Sequence, residues 1–170
     1  MIDAIKNRRS IRNFKNKKVE EEKIREILKA AMYAPSAHSS YPWEIIVVTE
    51  EEKRKALGKA TKWSDFAAEA PVCFTILGDE NKSDRWIEDT SIVSEHILLE
   101  AVEQNLGGCW IQIKNGSGKD PEEYVREVLE IPKRWRVLSV LAVGYPKERK
   151  PPHTEGEFKE EKIHYQQHSE

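Results

Sequence analysis

Cysteine is nearly absent. Cys73 and Cys109 are the only two in 170 residues, far apart and outside any Cys-x-x-Cys spacing. That excludes a disulfide framework and points to a reducing compartment. No apolar run approaches the length of a membrane span. Met1-Ile2-Asp3-Ala4-Ile5 opens no apolar segment long enough for a signal peptide, so a cytoplasmic protein is expected. Charge of one sign is lacking too: 34% of residues are charged, yet the net is −2. A balanced total argues against general nucleic-acid binding, which shows as a basic excess. Catalytic sets made of side chains are also missing. There is no Gly-x-Ser-x-Gly, no Cys–His couple and no pair of carboxylates with an evident role. An enzyme built on this chain therefore needs a cofactor to carry its chemistry. No repeat, low-complexity segment or boundary interrupts residues 1–170, and 38% hydrophobic content supplies a core, so one domain is expected.

What the chain does have is one concentrated basic stretch. Lys6 to Lys18 holds seven cations and no acid, and Arg8, Arg9 and Arg12 with Ser10 fall within five residues. Guanidinium forks present paired donors that match phosphate oxygens, and a neighbouring hydroxyl adds another. The same charges also suit a solvated arm or a loose nucleic-acid patch.

Along the chain, Ile2 to Lys6 reads as a short helix. A second begins after Val19, with Glu20-Glu21-Glu22 at its positive end. Ile24, Ile27, Leu28, Ala31 and Met32 form its apolar face. Pro35 stops it, and the small-residue loop Pro35 to Ser40 leads to a strand, Trp43 to Thr49. Glu50 to Lys62 is a charged helix. Val72 to Leu77 is so continuously apolar that a strand buried on both faces is expected. A long helix from Arg85 to about Asn105 has apolar residues on more than one face, which places it centrally or in a subunit interface. His96 within it reads as a packed histidine. Leu106-Gly107-Gly108 then turns into a strand, Trp110 to Ile113. Two glycines there permit positive φ and a bare N–H. The order helix, glycines, strand is the reverse of a dinucleotide fingerprint. Asp120 caps a helix with Pro121 at its first position. Val137 to Val143 is the last buried strand, followed by Lys147, Arg149, Lys150 and a polar tail. In that tail, His164 and His168 would share a face only if it were helical.

Four motifs together carry a resemblance. Arg8-Arg9-Ser10-Ile11-Arg12-Asn13-Phe14, Ala34-Pro35-Ser36-Ala37-His38-Ser39-Ser40-Tyr41-Pro42-Trp43, Leu106-Gly107-Gly108-Cys109-Trp110-Ile111 and Val143-Gly144-Tyr145-Pro146 stand in the order and approximate spacing of the nitroreductase family. The chain resembles these FMN-dependent NAD(P)H oxidoreductases over nearly its whole length. The resemblance implies an α+β fold, with a central mixed or antiparallel sheet flanked by helices, and an intertwined homodimer with FMN at the subunit interface. It implies FMN-binding roles for Arg8, Arg9, Ser10 and Arg12, for Pro35, Ser36, Ala37 and Ser39, for Leu106, Gly107 and Gly108, and for Lys147 and Arg149. Arg12 would lie near the pyrimidine end of the flavin, and the Gly107-Gly108 turn would offer N–H to its redox-active nitrogen.

This chain has Ser39 and Tyr41 where the family commonly has Asn and Gln, and Glu157 where relatives often carry a base. The expected activity is hydride uptake from NADH or NADPH and reduction of a small electron-poor acceptor, such as a nitroaromatic or quinone, by a ping-pong mechanism. A non-enzymatic FMN-storage or sensor protein would use the same residues.

Overall fold

The computed structural model describes residues 1–168. Its frame is a four-stranded sheet of β1 (Trp43–Val48), β2 (Val72–Gly78), β3 (Gly107–Gln112) and β4 (Arg136–Gly144), in the order β1-β2-β4-β3. Every neighbouring pair is antiparallel, which resolves the expected mixed or antiparallel sheet to the latter. Five α-helices accompany it: α1 (Asp3–Asn7), α2 (Glu21–Met32), α3 (Glu51–Leu57), α4 (Trp86–Glu103) and α5 (Pro121–Leu129).

Strand alternation divides the core in two. Val72, Phe74 and Ile76 of β2, with Leu141 and Val143 of β4, pack against Ile27 and Ala31 of α2 and Val93, Ile97 and Ala101 of α4. Cys73 and Leu77, with Val140 and Ala142, face Leu57 of α3 and Val125 of α5. β2 is buried at all seven positions, as its continuous apolar run required. The charged helix expected over 50–62 ends at Leu57, where Gly58 takes over its C-cap. α5 starts on Asp120, whose Oδ1 accepts from Glu123 N at 3.0 Å. Glu122 then ties α5 to β4 through two bonds from the Arg136 guanidinium, at 2.8 and 2.9 Å. His96 bonds Ala30 O through Nδ1 at 2.9 Å, so it joins α4 to α2 as a satisfied packing residue. In the tail, short 3-10 turns replace a helix, and the His164 and His168 rings lie 4.2 Å apart. Among the described residues no helix is long and apolar enough to cross a membrane.

Candidate functional site

The basic stretch does not hang free. Residues 8–15 leave α1 as an extended ribbon between the start of β3 and the segment that follows β4. Ile11 N donates to Gly108 O at 3.0 Å, Lys15 N to Tyr145 O at 2.8 Å, and Lys147 N returns to Asn13 O at 2.9 Å. Ser10 bridges Gly108, and Phe14 bridges Pro146. Glu148 closes the junction by accepting from Arg12 N at 2.7 Å and Asn13 N at 3.2 Å. The Arg12 N–H bond, with the Lys150 charge behind it, holds the Glu148 carboxyl below the usual range. Lys150 Nζ donates to Ser10 O at 2.5 Å. Three of the four motifs read in the sequence therefore meet at one junction.

The ribbon's side chains divide between its two sides. Ile11 packs on Gly107. Ser10, with the charges of Arg12, Lys150 and Arg8, surrounds Cys109. Burial pushes that thiol up, and these groups offset part of the rise. Arg8 pairs with Glu95 of α4 at 3.6 Å. The Arg12 guanidinium lies 5.7 Å over the Phe66 ring. Arg9 turns instead to the C-terminal tail, donating to Pro151 O at 2.9 Å and lying 3.6 Å from Glu157. After β4 the predicted cations separate. Lys147 faces Arg12 across an open groove of about 1100 Å³, whereas Arg149 lines a smaller cavity of about 180 Å³ with Arg9, Leu106 and Gly107. Among the described residues Arg12, Lys147 and Arg149 form no ion pair.

The glycines correct one expectation. The strand begins at Gly107 rather than Trp110, and neither Gly107 nor Gly108 has positive φ. Asn105, at φ 58°, makes the left-handed turn after α4. Both glycines are buried, and what they permit is close approach. A Cβ on Gly108 would stand 2.9 Å from Leu98 Cδ2 and 3.0 Å from Ala142 O.

The fourth motif lies elsewhere. Ala37 N donates to Asp89 Oδ1 at 2.9 Å, in the first turn of α4, and Ser36 Oγ accepts from Tyr41 N at 2.9 Å. His38, Ser39 and Tyr41 take φ of 53°, 53° and 45°, and Ser40 Oγ is buried without a hydrogen-bond partner. Backbone strain of this kind clusters at functional sites, and a buried hydroxyl without a partner is uncommon. Yet Val102, on the wall of the Arg149 cavity, sits at the opposite end of α4, about 20 Å along the helix from Asp89. The loop is thus tied to the first turn of α4, and the Arg149 cavity to its last.

Sequence reading missed Glu148, the acid among Lys147, Arg149 and Lys150 that anchors the ribbon, and the aromatic groove wall formed by Trp63 and Phe66. An acid enclosed by bases was the only local sign of the first. Among the described residues no cluster of three or more His, Cys, Asp or Glu could hold a metal.

Residues 5–145 match the Nitroreductase family profile. A relative from Archaeoglobus fulgidus, provisionally named NADH dehydrogenase/NAD(P)H nitroreductase, is 35% identical over 88% of this chain and 87% of its own. The FMN reductase [NAD(P)H] of Bacillus subtilis is 26% identical over 88% of this chain and 67% of its own. Among solved structures, an FMN-dependent nitroreductase from Clostridium difficile R20291 superposes with a TM-score of 0.96 at 38% identity, covering 99% of this chain and all of that one.

Proposed function

This chain belongs to the nitroreductase family, and from that premise we propose that it is an FMN-dependent oxidoreductase that takes hydride from NADH or NADPH and reduces an electron-poor small molecule, a nitroaromatic, a quinone or similar. The observation that carries the reading is the ribbon junction. There, two segments distant in sequence meet beside the start of β3, the ribbon that carries Arg12 and the stretch after β4 that carries Arg149, which lines a cavity with Gly107.

The residues present suit a phosphate-bearing planar group. Arg8, Ser10, Arg12 and Arg149 would hold its anionic parts, because guanidinium donors form charge-assisted bonds to phosphoryl oxygens. Leu106 and Gly107 border the cavity that Arg149 lines, and Gly108 fixes the ribbon against β3. Pro35, Ser36, Ala37 and Ser39 would come from a second copy, since their own loop lies at the far end of α4. Ser39 has one hydroxyl where an asparagine would have both a donor and an acceptor group. Arg9 is committed to the tail and contributes least. Bound FMN supplies the two-electron chemistry. Arg12 would offer it a fixed positive charge, which favours the negative charge that develops on reduction.

The donor's oxidised form leaves before the acceptor enters, so double-reciprocal plots should be parallel. Converging lines would reject that order. The decisive experiment is anaerobic addition of NADH, and separately of NADPH, to the purified FMN-loaded protein. Bleaching of the flavin absorbance supports the oxidoreductase. A flavin that binds but is not bleached supports an FMN-storage or sensor protein instead, and a preparation that refuses FMN rejects both.

A further inference from the structure

The groove beside Arg12 offers more than the ribbon's cations. Trp63, 68% exposed, stands on its rim with Phe66 buried beneath. Past Arg12 it continues into a cavity of about 220 Å³ that Trp63 and Phe66 share with Trp110. The turn carrying Trp63 is fixed from within. Ser64 is fully buried, and its hydroxyl lies 3.1 Å from Gly58 O and 2.9 Å from Thr61 O while accepting from Thr61 N at 2.9 Å. A turn anchored this firmly holds an indole at the groove rather than letting it fold into the core.

The charges around it are unequally engaged. Lys62 Nζ sits 4.6 Å over the Trp63 ring, and Lys147 lines the groove, and neither forms an ion pair among the described residues. Two of the carboxylates on the wall are held by backbone N–H groups: Glu148 by Arg12 and Asn13, and Asp65 by Phe66 at 3.0 Å. Glu69 is the remaining acid. Size also discriminates. At about 1100 Å³ the groove exceeds the roughly 300–1,000 Å³ of pockets that enclose drug-sized ligands, so it far exceeds the needs of one substituted ring. An exposed indole with uncommitted ammonium groups beside it suits a purine that carries phosphates, because a base stacks on the ring while cations meet the phosphoryl oxygens.

We propose that this groove is the subsite for the adenosine-phosphate half of the dinucleotide donor, with the purine stacked on Trp63 and the phosphates drawn to Lys62 and Lys147. The assignment rests on the oxidoreductase reading. It gives Lys147, which shares the groove with Arg12 rather than the cavity with Arg149, to the donor and not to FMN.

Titration of FMN-saturated protein with ADP, followed by tryptophan fluorescence and calorimetry, tests it. ADP should bind the wild type. Trp63→Ala should weaken that binding about tenfold or more, as loss of base stacking does, while Trp63→Phe retains most of it and Lys62→Gln weakens it less. In steady state, Trp63→Ala should raise KM for NADH and leave kcat and the acceptor KM unchanged. Trp63 is exposed, so circular dichroism of Trp63→Ala should match the wild type. Absent ADP binding, or equal binding by Trp63→Ala, overturns the proposal. So does a rise in the acceptor KM alone, which would give the groove to the aromatic acceptor. If neither NADH nor NADPH bleaches wild-type flavin, the oxidoreductase reading fails by itself, and the ADP titration still decides what the groove binds.

Discussion

Gly107 lies directly under Ile11. A Cβ built on the glycine would stand 2.6 Å from Ile11 Cγ1 and 3.1 Å from Pro146 Cγ. Two segments nearly a hundred residues apart are thereby pressed together, and the arginine ribbon owes its position to that contact. Gly107→Ala should push the ribbon off β3. We expect a loss of about 1–3 kcal/mol, the usual cost of overpacking, with weaker flavin retention. The urea midpoint and the flavin content after dialysis measure both. Gly156→Ala is the control: its Cβ would meet only Thr154 Oγ1, at 3.7 Å, so it should change neither.

Arg9 and Arg12 sit three residues apart in one motif, but their partners differ. Arg12 lines the groove without an ion pair, whereas Arg9 is bonded to Pro151 O and Glu157. Arg12→Ala should weaken FMN binding about ten- to a hundredfold, the range for losing a hydrogen bond to a charged group. Arg9→Ala should weaken it far less and instead free the tail, seen as faster proteolysis after residue 150. Flavin fluorescence titration of the two variants separates them, and equal losses would refute the distinction.

Local patterning made much of the frame legible. β2 announced itself because its run is apolar but for Thr75, and α5 because Asp120 and Pro121 are a cap and a first-turn residue. The long α4 followed from its composition, and the packing role of His96 from its solitude. β3 was harder. Its first two residues are glycines, which carry no side-chain pattern and read as a turn, while the left-handed residue is Asn105. The motifs of the site were legible by resemblance, but their grouping was not. Nothing local says that Ser10 bridges Gly108, that Glu148 caps the ribbon's N–H groups, or that Lys147 and Arg149 line different cavities. Those are long-range pairings, and they depend on where the sheet places each end. That the Pro35–Ser39 loop is tied to one end of α4 and the Arg149 cavity lies at the other likewise left no trace in either motif.

The tail is latched by a histidine whose two ring nitrogens both face acceptors. His153 Nε2 lies 3.1 Å from Arg8 O, and Nδ1 meets the Glu157 carboxylate. A carbonyl oxygen and a carboxylate oxygen both accept, so the ring joins two acceptors from different segments. Lys6 O, Glu155 and Glu157 surround it, with Arg9 and Lys159 acting on Glu157. The His153 bond is the main cause that holds the Glu157 carboxyl below its usual range, and the charges of His153, Arg9 and Lys159 add to it. A depressed carboxylate contributes above its unfolded value, about 4.3, and that contribution fades as pH falls through the lower folded value. Limited proteolysis across acid pH should show a protected tail above that range and faster cleavage as pH falls through it. Glu157→Gln should flatten the profile, and a flat profile in the wild type would refute the latch.

The proposed site joins the ribbon of one copy to the Pro35–Ser39 loop of another, because that loop is tied to the opposite end of α4 from the Arg149 cavity. A variant damaged in either part should then be rescued by the other. Arg12→Ala removes the ribbon's free guanidinium, and Ala37→Trp fills the loop; each homodimer would bind FMN poorly. A mixed dimer holds one site built from two intact parts and one built from two damaged parts. After unfolding and refolding an equal mixture, half the dimers should be mixed, so about a quarter of all sites should regain wild-type FMN affinity in a two-fold assembly. Flavin titration of the mixture against each variant refolded alone reads this directly. If the mixture binds no more than the average of its components, the site lies within one chain, and the loop has no part in it.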